Sequence, residues 1–364
     1  MIGRITLDNV LAFRRLTLEL RPLTLLSSTN SSGKTSILHA LALLRQSYDA
    51  RLLHESLMLN GDLVRVGVGR DILHSDPADL LDEAAPALRI AIDDLSWTVQ
   101  YELNADTLRL LGNAAEPAGP LLGPGFQYLG ADRIVPAVTY PRSHEAVSVR
   151  RSLGARGEHT ANFLRVHSGQ HVAASAAAHP DAVSGRLLDQ VNAWLAEVSV
   201  ATTVRVDDVE GADLVRLVFL RSGPDVKTEP QRATNVGFGL TYSLPIIVAC
   251  LAAQPGSLLL IENPEAHLHP RAQAVLGRLL ARTASSGVQI IVETHSDHVL
   301  NAVRLAVKHG EVLNADVLVH FLSRAGFELQ PTLSSLAIGD DGMIETWPTG
   351  FFDEFDNALD DLLG

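Results

Sequence analysis

Residues 23–44, LTLLSSTNSSGKTSILHALALL, decide the fold of this chain. The opening LTLLSS reads as a short buried strand, and after Gly33 apolar residues recur at Ile37, Leu38, Leu41 and Leu44, the spacing of one helix face. A strand feeding a helix through a small, polar loop makes an anion cradle, because backbone N–H groups converge there and the helix dipole presents its positive end. Gly33 lets backbone approach a phosphate, Lys34 reaches the β- and γ-phosphates, and the Thr35 hydroxyl binds Mg²⁺. The chain has only three lysines, Lys34, Lys227 and Lys308, so a lysine in this one place is not a compositional accident. The pattern G-x-x-x-x-G-K-[ST] asks for glycine where Ser28 stands. Serine is small, so the expectation is modest backbone strain, a hydroxyl that caps the turn, and nucleotide binding that is retained but weakened.

With 364 residues, 46% of them hydrophobic and 20% charged, the chain can bury a large core. One cysteine, Cys250 within LPIIVACLAA, excludes a disulfide framework and reads as a core residue of a protein in a reducing compartment. The start MIGRITLDNVLAFRR has no signal-peptide character and no apolar run is long enough to span a bilayer, so a cytoplasmic protein is expected. A formal net charge of −13 argues against a surface that coats nucleic acid. The best candidate for a local basic stripe, PRSHEAVSVRRSLGAR with Arg142, Arg150, Arg151 and Arg156, is either a local DNA contact or a solvated loop.

RITLDNV and RRLTLEL precede the loop as β-type runs, RIAIDDLSWTVQYELNADTLRLLG (residues 89–112) alternates like an antiparallel meander, and QYLGADRI resembles a further strand. Residues 158–199 turn helical, with GRLLDQVNAWLAEV the clearest amphipathic run, and TTVRVDDVEGADLVRLVFLRS reads as a hairpin turning at Glu210-Gly211. The last third alternates: SLLLIE, a helix over about 270–283, VQIIVET, a helix through DHVLNAVRLAVKHG, then DVLVHFL. GNAAEPAGPLLGPG is a surface loop or linker.

Two further stretches carry chemistry. SLLLIENPEAHLHP ends a buried strand in Glu262 and places Glu265 three residues on; one acid can serve Mg²⁺ and the other can polarise the attacking water. VQIIVETHSDHVLN ends a strand at Thr294-His295-Ser296, where His295 can touch the γ-phosphate or the water. Read apart from the loop, Glu265, His267, His269, His295 and His298 form a candidate set for a metal-dependent hydrolase.

Together these segments resemble an ABC-type ATPase of the SMC/RecF class, and more closely the bacterial overcoming-lysogenisation-defect-like ATPases, including the subgroup whose tail reads W-P-x-G-F-F-D, here Trp347 to Asp353. The resemblance covers essentially the whole chain, through ITLDNVLAF, NSSGKTS, NVGFGLTYSLPIIV, LLIENPEAHLHP, VETHSDHVLN and the tail. It implies an α/β fold, an ABC-ATPase head with a P-loop NTPase core, an antiparallel β meander and a helical lobe. It implies ATP and Mg²⁺ as cofactors. Asn30, Ser31, Ser32, Gly33, Lys34, Thr35 and Ser36 would form the phosphate loop, Glu262 would serve the metal with Thr35, Glu265 would match the catalytic glutamate, and His295 the switch histidine. NVGFGLT, with Gly237, Gly239 and Thr241, resembles the signature segment, which in such families caps the nucleotide of a second subunit, so that ATP lies between two heads in a head-to-tail dimer. AHLHP would be the crossing D-loop. The glutamine-loop residue has candidates in Gln46, Gln127 and Asp132-Arg133, with a structural role open for each.

The expected organisation is an ATPase domain over 1–340, its core lobe about 1–135 and 245–340 with an inserted lobe at about 136–244, followed by an acidic, aromatic tail over 341–364 that docks on the core. That tail is too short to scaffold a nuclease site despite Asp340, Asp341, Asp353 and Asp356. The implied activity is Mg²⁺-dependent ATP hydrolysis that drives head dimerisation in anti-phage defence or DNA maintenance, with a separately encoded effector such as a nuclease. The alternative is a non-hydrolysing, nucleotide-gated scaffold.

Overall fold

The computed structural model describes residues 1–29, 32–74, 87–112, 119–221, 229–324 and 330–363. Along the chain, β1 (Arg4–Val10) and β2 (Phe13–Glu19) form a hairpin, and β3 (Leu23–Ser28) leads into α1 (Lys34–Asp49). Then come β4 (Ser56–Met58), α2 (Gly69–Ile72), β5 (Ala87–Ile92), β6 (Leu95–Gln100), β7 (Thr107–Arg109), β8 (Phe126–Leu129) and β9 (Tyr140–Pro141). A largely helical stretch holds α3 (Thr160–His167) and α4 (Leu187–Val198), followed by β10 (Thr202–Asp208), β11 (Leu214–Arg221), β12 (Gln231–Arg232) and α5 (Phe238–Ala252). The remainder alternates β13 (Leu258–Glu262), α6 (Pro270–Ala284), β14 (Gln289–Glu293), α7 (Asp297–Lys308) and β15 (Val317–Ser323), then closes with β16 (Thr332–Leu336) and α8 (Glu354–Leu363).

The central sheet has the order β16–β15–β3–β14–β13–β8, parallel except for the antiparallel edge strand β16. Apart from the edge strand β16, its strands are buried on both faces. Leu259 and Ile261 of β13, Ile290 and Val292 of β14, and Val317, Val319 and Phe321 of β15 share one apolar cluster with α3 to α7. Leu258, Leu260, Ile291 and Leu322 join the other, with α1 and the antiparallel sheet β2–β1–β5–β6. Successive strand residues thus serve opposite faces, the period-2 rule read directly from burial. Each fully buried Leu or Ile on these faces contributes about 1.5–3 kcal/mol.

Local rules account for the helix starts. Pro270 opens α6 behind His269, whose Nδ1 accepts from the Arg271 N–H at 3.3 Å, and Ser296 caps α7 by accepting from the Val299 N–H at 3.1 Å. Helix α4 buries Leu187, Val191, Trp194 and Leu195, one stripe at helical spacing. Helix α5 is buried from Thr241 to Leu251 and carries Pro245 inside it, so no polar stripe marks it in the sequence.

The expected meander over 89–112 is only partly a meander. β5 and β6 pair as a hairpin and β5 joins β1, whereas β7 leaves to pair with β4. The 202–221 hairpin stands as expected, with Gly211 in the left-handed region at φ 75°. Parts of two expected loop or hairpin stretches, 113–118 and 325–329, lie outside the described residues.

Candidate nucleotide-binding site

The loop does not strain where the sequence pattern places the strain. Ser28 is the last residue of β3, in ordinary extended backbone paired with Leu322, so its Cβ needs no left-handed conformation. Its hydroxyl accepts a hydrogen bond from Lys34 Nζ and donates to the Thr29 carbonyl. The left-handed residue is Gly33, at φ 88°. A Cβ there would lie 2.5 Å from Ala12 Cβ and 3.0 Å from the Phe13 ring, so this glycine also lets the loop pack on the β1–β2 turn. Thr29 Oγ1 and Ser32 Oγ are 2.8 Å apart, and the Ser36 N–H donates to the Gly33 carbonyl at 3.0 Å. Asn30 and Ser31 lie outside the described residues. Lys34 is buried, which pulls its ammonium below the ordinary lysine range against the attraction of Glu293 and Glu265.

Strands β3, β14 and β13 are parallel neighbours in register, with Glu293 opposite both Leu26 and Glu262, so their carboxyl ends line up beside the loop. Such strand ends are where open α/β sheets bind ligands. The carboxylate hydrogen-bonded to Thr35 is that of Glu293: Thr35 Oγ1 lies 3.0 Å from Oε1 and 2.9 Å from Oε2. Glu262, expected to serve the metal with Thr35, ends the next strand, β13. Glu262 instead accepts the Tyr128 hydroxyl at 2.6 Å and the Ala131 N–H at 2.9 Å, with His39 Nε2 at 3.7 Å.

Burial, together with the Glu262 charge, pushes the Glu293 carboxyl up to about 7, against the opposing pull of the Thr35 hydrogen bond and Lys34. Burial also raises the Tyr128 hydroxyl far above its ordinary range, with Glu262 adding to it. Glu265 reaches back across the turn after β13, accepting from Thr294 Oγ1 at 2.8 Å and from the His295 N–H at 2.7 Å. His295 is exposed; partial burial and the Lys34 charge lower its imidazole below the usual range, against the pull of Glu265.

Arg133 holds this turn. Fully buried, it donates from Nη1 to the Gly130 and Glu262 carbonyls at 3.1 and 2.7 Å and from Nη2 to the Asn263 carbonyl, and it stacks 5.5 Å over the Tyr242 ring. Burial lowers it to about 10, so it stays charged at neutral pH, and Glu265 is the largest opposing influence. Sequence reasoning offered Arg133 only as a glutamine-loop candidate and missed Glu293, Tyr128 and His39. The signal for Glu293 was present: VQIIVE, like SLLLIE, is an apolar strand ending in an acid.

The signature-like segment begins α5 with Gly237 as an N-cap residue and no side-chain cap, leaving its first N–H groups uncapped and Gly237 and Phe238 exposed. Gly239 is needed inside the chain, since a Cβ would sit 2.7 Å from the His267 carbonyl. His267, with φ 60°, stacks edge-on to Tyr242 at 4.8 Å and lies 5.7 Å from Phe238. Thr241 is a correction: it is buried and its hydroxyl donates to the Phe238 carbonyl at 3.0 Å, so it does not face a ligand.

Gln46 bonds Met58 and Val64 backbone, and Gln127 bonds Leu153 and Tyr128 backbone, which leaves both as structural amides. Arg142, Arg150 and Arg156 pair with Asp208, Glu145 and Asp132, and Arg151 bonds Gln170 and stacks on Phe163. The basic stripe is therefore a set of local partnerships. The alternative histidine metal set is dispersed: His267 packs on aromatics, His269 caps α6 and His298 lies 3.7 Å from Asp297. Among the described residues no three His, Cys, Asp or Glu side chains form a metal-binding group by themselves.

Residues 29–301 match the family described as "AAA domain, putative AbiEii toxin, Type IV TA system", and residues 313–362 match a second, described as "Protein of unknown function (DUF3696)". No curated protein matches the chain. Among the solved structures that share the fold are two SMC heads. One is an SMC head bound to the C-winged helix domain of ScpA, at 13% identity and TM-score 0.57 over 93% of this chain and 98% of that one. The other is an SMC head domain with an extended coiled coil bound to the C-terminal domain of ScpA from Pyrococcus furiosus, at 11% identity and TM-score 0.55 over 100% and 99%. The match over residues 29–301 spans most of the chain, which therefore belongs to this AAA-domain family and has the α/β fold of an SMC/RecF-like ABC ATPase head.

Proposed function

We propose that the chain binds and hydrolyses ATP with Mg²⁺ at this site, and that two ATP-bound heads pair head to tail. The observation that carries the reading is the convergence of Lys34, Thr35, Glu293, Glu265 and His295 at the ends of adjacent parallel strands. A bound Mg²⁺ offsets the charge of the phosphate oxygens. The Thr35 hydroxyl, with the carboxylates at the strand ends, would hold that ion. Lys34 leaves Ser28 to meet phosphate, and Glu265, its orientation fixed by Thr294 and the His295 N–H, acts as general base on the attacking water. His295, whose imidazole lies below its usual range in the nucleotide-free chain, contacts the γ-phosphate side.

The uncapped start of α5, with Gly237, Phe238 and Gly239, covers the nucleotide of the second head and adds N–H donors while excluding water. In this reading the core lobe is about 1–135 and 245–340, the inserted lobe about 136–244, and the tail from 341 docks on the core. The setting is bacterial defence or DNA maintenance with a separately encoded effector such as a nuclease, in the subgroup whose tail reads Trp347 to Asp353. Two supports are the toxin and toxin–antitoxin wording of the family description and the partner domain seated on both SMC heads.

The test is the mass of the purified protein with and without ATP and Mg²⁺, alongside phosphate release. Glu265→Gln is expected to accumulate ATP-bound dimer and lose turnover, and Lys34→Ala to lose both nucleotide binding and dimer. A parent protein that stays monomeric with ATP and releases no phosphate would sink the proposal; turnover-independent dimers in both parent and Glu265→Gln would replace it with the scaffold reading.

A further inference from the structure

The geometry points to a second binding site, for a small apolar monocarboxylate paired with Arg151, in a cavity at the end of the sheet opposite the phosphate loop. It does not rest on the nucleotide reading. The cavity holds about 640 Å³, inside the range of roughly 300–1,000 Å³ that small-molecule sites occupy. It lies where β8 and β13 begin, whereas the loop leaves the carboxyl end of β3, which runs parallel to them in the same sheet. Phe126, Leu259, Phe163, Ala249 and Ala253 supply hydrocarbon to its wall. Polar groups there are already partnered: Gln127 Oε1 accepts the Leu153 N–H at 3.0 Å, and Ser257 Oγ accepts the Gln254 N–H at 3.1 Å. Such a wall favours an apolar body.

Arg151 is the exception. Among the described residues it is the one charged side chain on the wall, and no carboxylate lines it. Arg142, Arg150 and Arg156 of the same basic stripe pair with Asp208, Glu145 and Asp132. The Arg151 guanidinium has only a neutral amide as hydrogen-bond partner among the described residues, its Nη1 and Nη2 lying 3.3 and 3.2 Å from Gln170 Oε1. Its backbone is left-handed at φ 52°, which arginine rarely adopts, and the Phe163 ring lies 5.8 Å from the guanidinium carbon. Turn and ring together hold the charge against hydrocarbon. A guanidinium presents a planar fork of donors that a carboxylate meets bidentately. One cation balances one negative charge, so the ligand is a monoanion; a doubly charged phosphate would leave excess charge beside an apolar wall.

The experiment titrates the full chain, free of nucleotide, with decanoate by calorimetry below its micellar range, with decanol and decylamine as neutral and cationic controls. Decanoate is expected to bind once per chain and at least about 10-fold tighter than decanol, the scale of one charge-assisted pair, with decylamine weaker than both. Arg151→Gln is expected to bring decanoate down to the affinity of decanol, and Arg151→Lys, which keeps the charge and loses the fork, to fall between. Ala253→Phe, which fills the cavity from the wall, is expected to abolish binding of both; Ala249→Leu does the same with less bulk and covers the case in which Ala253→Phe unfolds. A parent chain that binds no decanoate, equal affinities for decanoate and decanol, or a decanoate affinity unchanged in Arg151→Gln overturns the inference. Binding untouched by both cavity-filling variants overturns it as well, by placing the ligand elsewhere.

Discussion

Lys34 donates its ammonium proton to the hydroxyl of Ser28, the residue that stands where the phosphate-loop pattern asks for glycine. Ser28 ends β3 in extended backbone, so serine brings a partner for the lysine without left-handed strain. Ser28→Gly therefore removes a hydrogen bond to a charged group and adds backbone freedom to the unfolded chain. The nucleotide-free protein is expected to lose about 1–3 kcal/mol. Because Lys34 then has no bond to leave, affinity for ATP tightens, by no more than about 10-fold. Denaturant titration and calorimetric ATP binding check the two halves. Abolished binding would mean that the Ser28 hydroxyl is itself part of the phosphate cradle.

The raised Glu293 carboxyl predicts how stability depends on pH in the nucleotide- and metal-free protein. The group titrates at about 7 in the fold against 4.5 as its ordinary value. Between those values the folded chain holds a proton that the unfolded chain has released, so stability falls as pH rises through this window and levels off above it. Glu293→Gln carries no such titration. Relative to the parent, the variant should gain on the order of 2 kcal/mol as pH goes from about 5 to about 8. A parent-to-variant difference in melting temperature that is equal at both ends of that range counts against a raised Glu293.

The contrast between Glu262 and Glu293 marks where the sequence stops being readable. Both end apolar strands, and both strands are recognisable from their residues. Which acid meets Thr35 depends on the order β3–β14–β13, in which the strand later in the chain inserts between the other two, and no local pattern carries that order. The strand, loop and helix around Lys34 were legible because burial period and loop chemistry are local. Thr241 was not, because α5 is buried through this region and has no polar stripe to orient it. Gln46 and Gln127 illustrate the same limit: whether a buried amide meets backbone or ligand is decided by neighbours distant along the chain.

Cys250 is expected to be chemically silent in the native protein. It has no exposed surface, and burial pushes its thiol up to about 12, with a Thr283 hydrogen bond opposing only weakly. Thiolate is the reactive species, so neither access nor ionisation favours alkylation. Mass spectrometry after iodoacetamide at about pH 8 should find the native chain unlabelled and the denatured chain labelled once. Rapid labelling under native conditions would place Cys250 outside the core.

The aromatic cluster around Phe351 makes the last prediction. Phe351 has no exposed surface and its ring lies 5.1 Å from Phe321 of β15, 4.8 Å from Trp347 and 4.9 Å from Phe352. A Cβ built on the neighbouring Gly350 would lie 3.9 Å from Thr29 Cγ2, which places this segment beside the residue that follows β3. Phe351→Ala empties a fully enclosed site and should cost about 3–5 kcal/mol in denaturant unfolding. Trp347 is 40% exposed and rests on Arg304 at 5.5 Å, so Trp347→Ala should cost no more than about 2 kcal/mol. Leu362 is 83% exposed, and Leu362→Ala should be neutral within about 0.5 kcal/mol. The ordering is the test: if Phe351→Ala unfolds at the same denaturant concentration as Leu362→Ala, the tail contributes nothing to the fold and the packing of Phe351 on Phe321 is wrong.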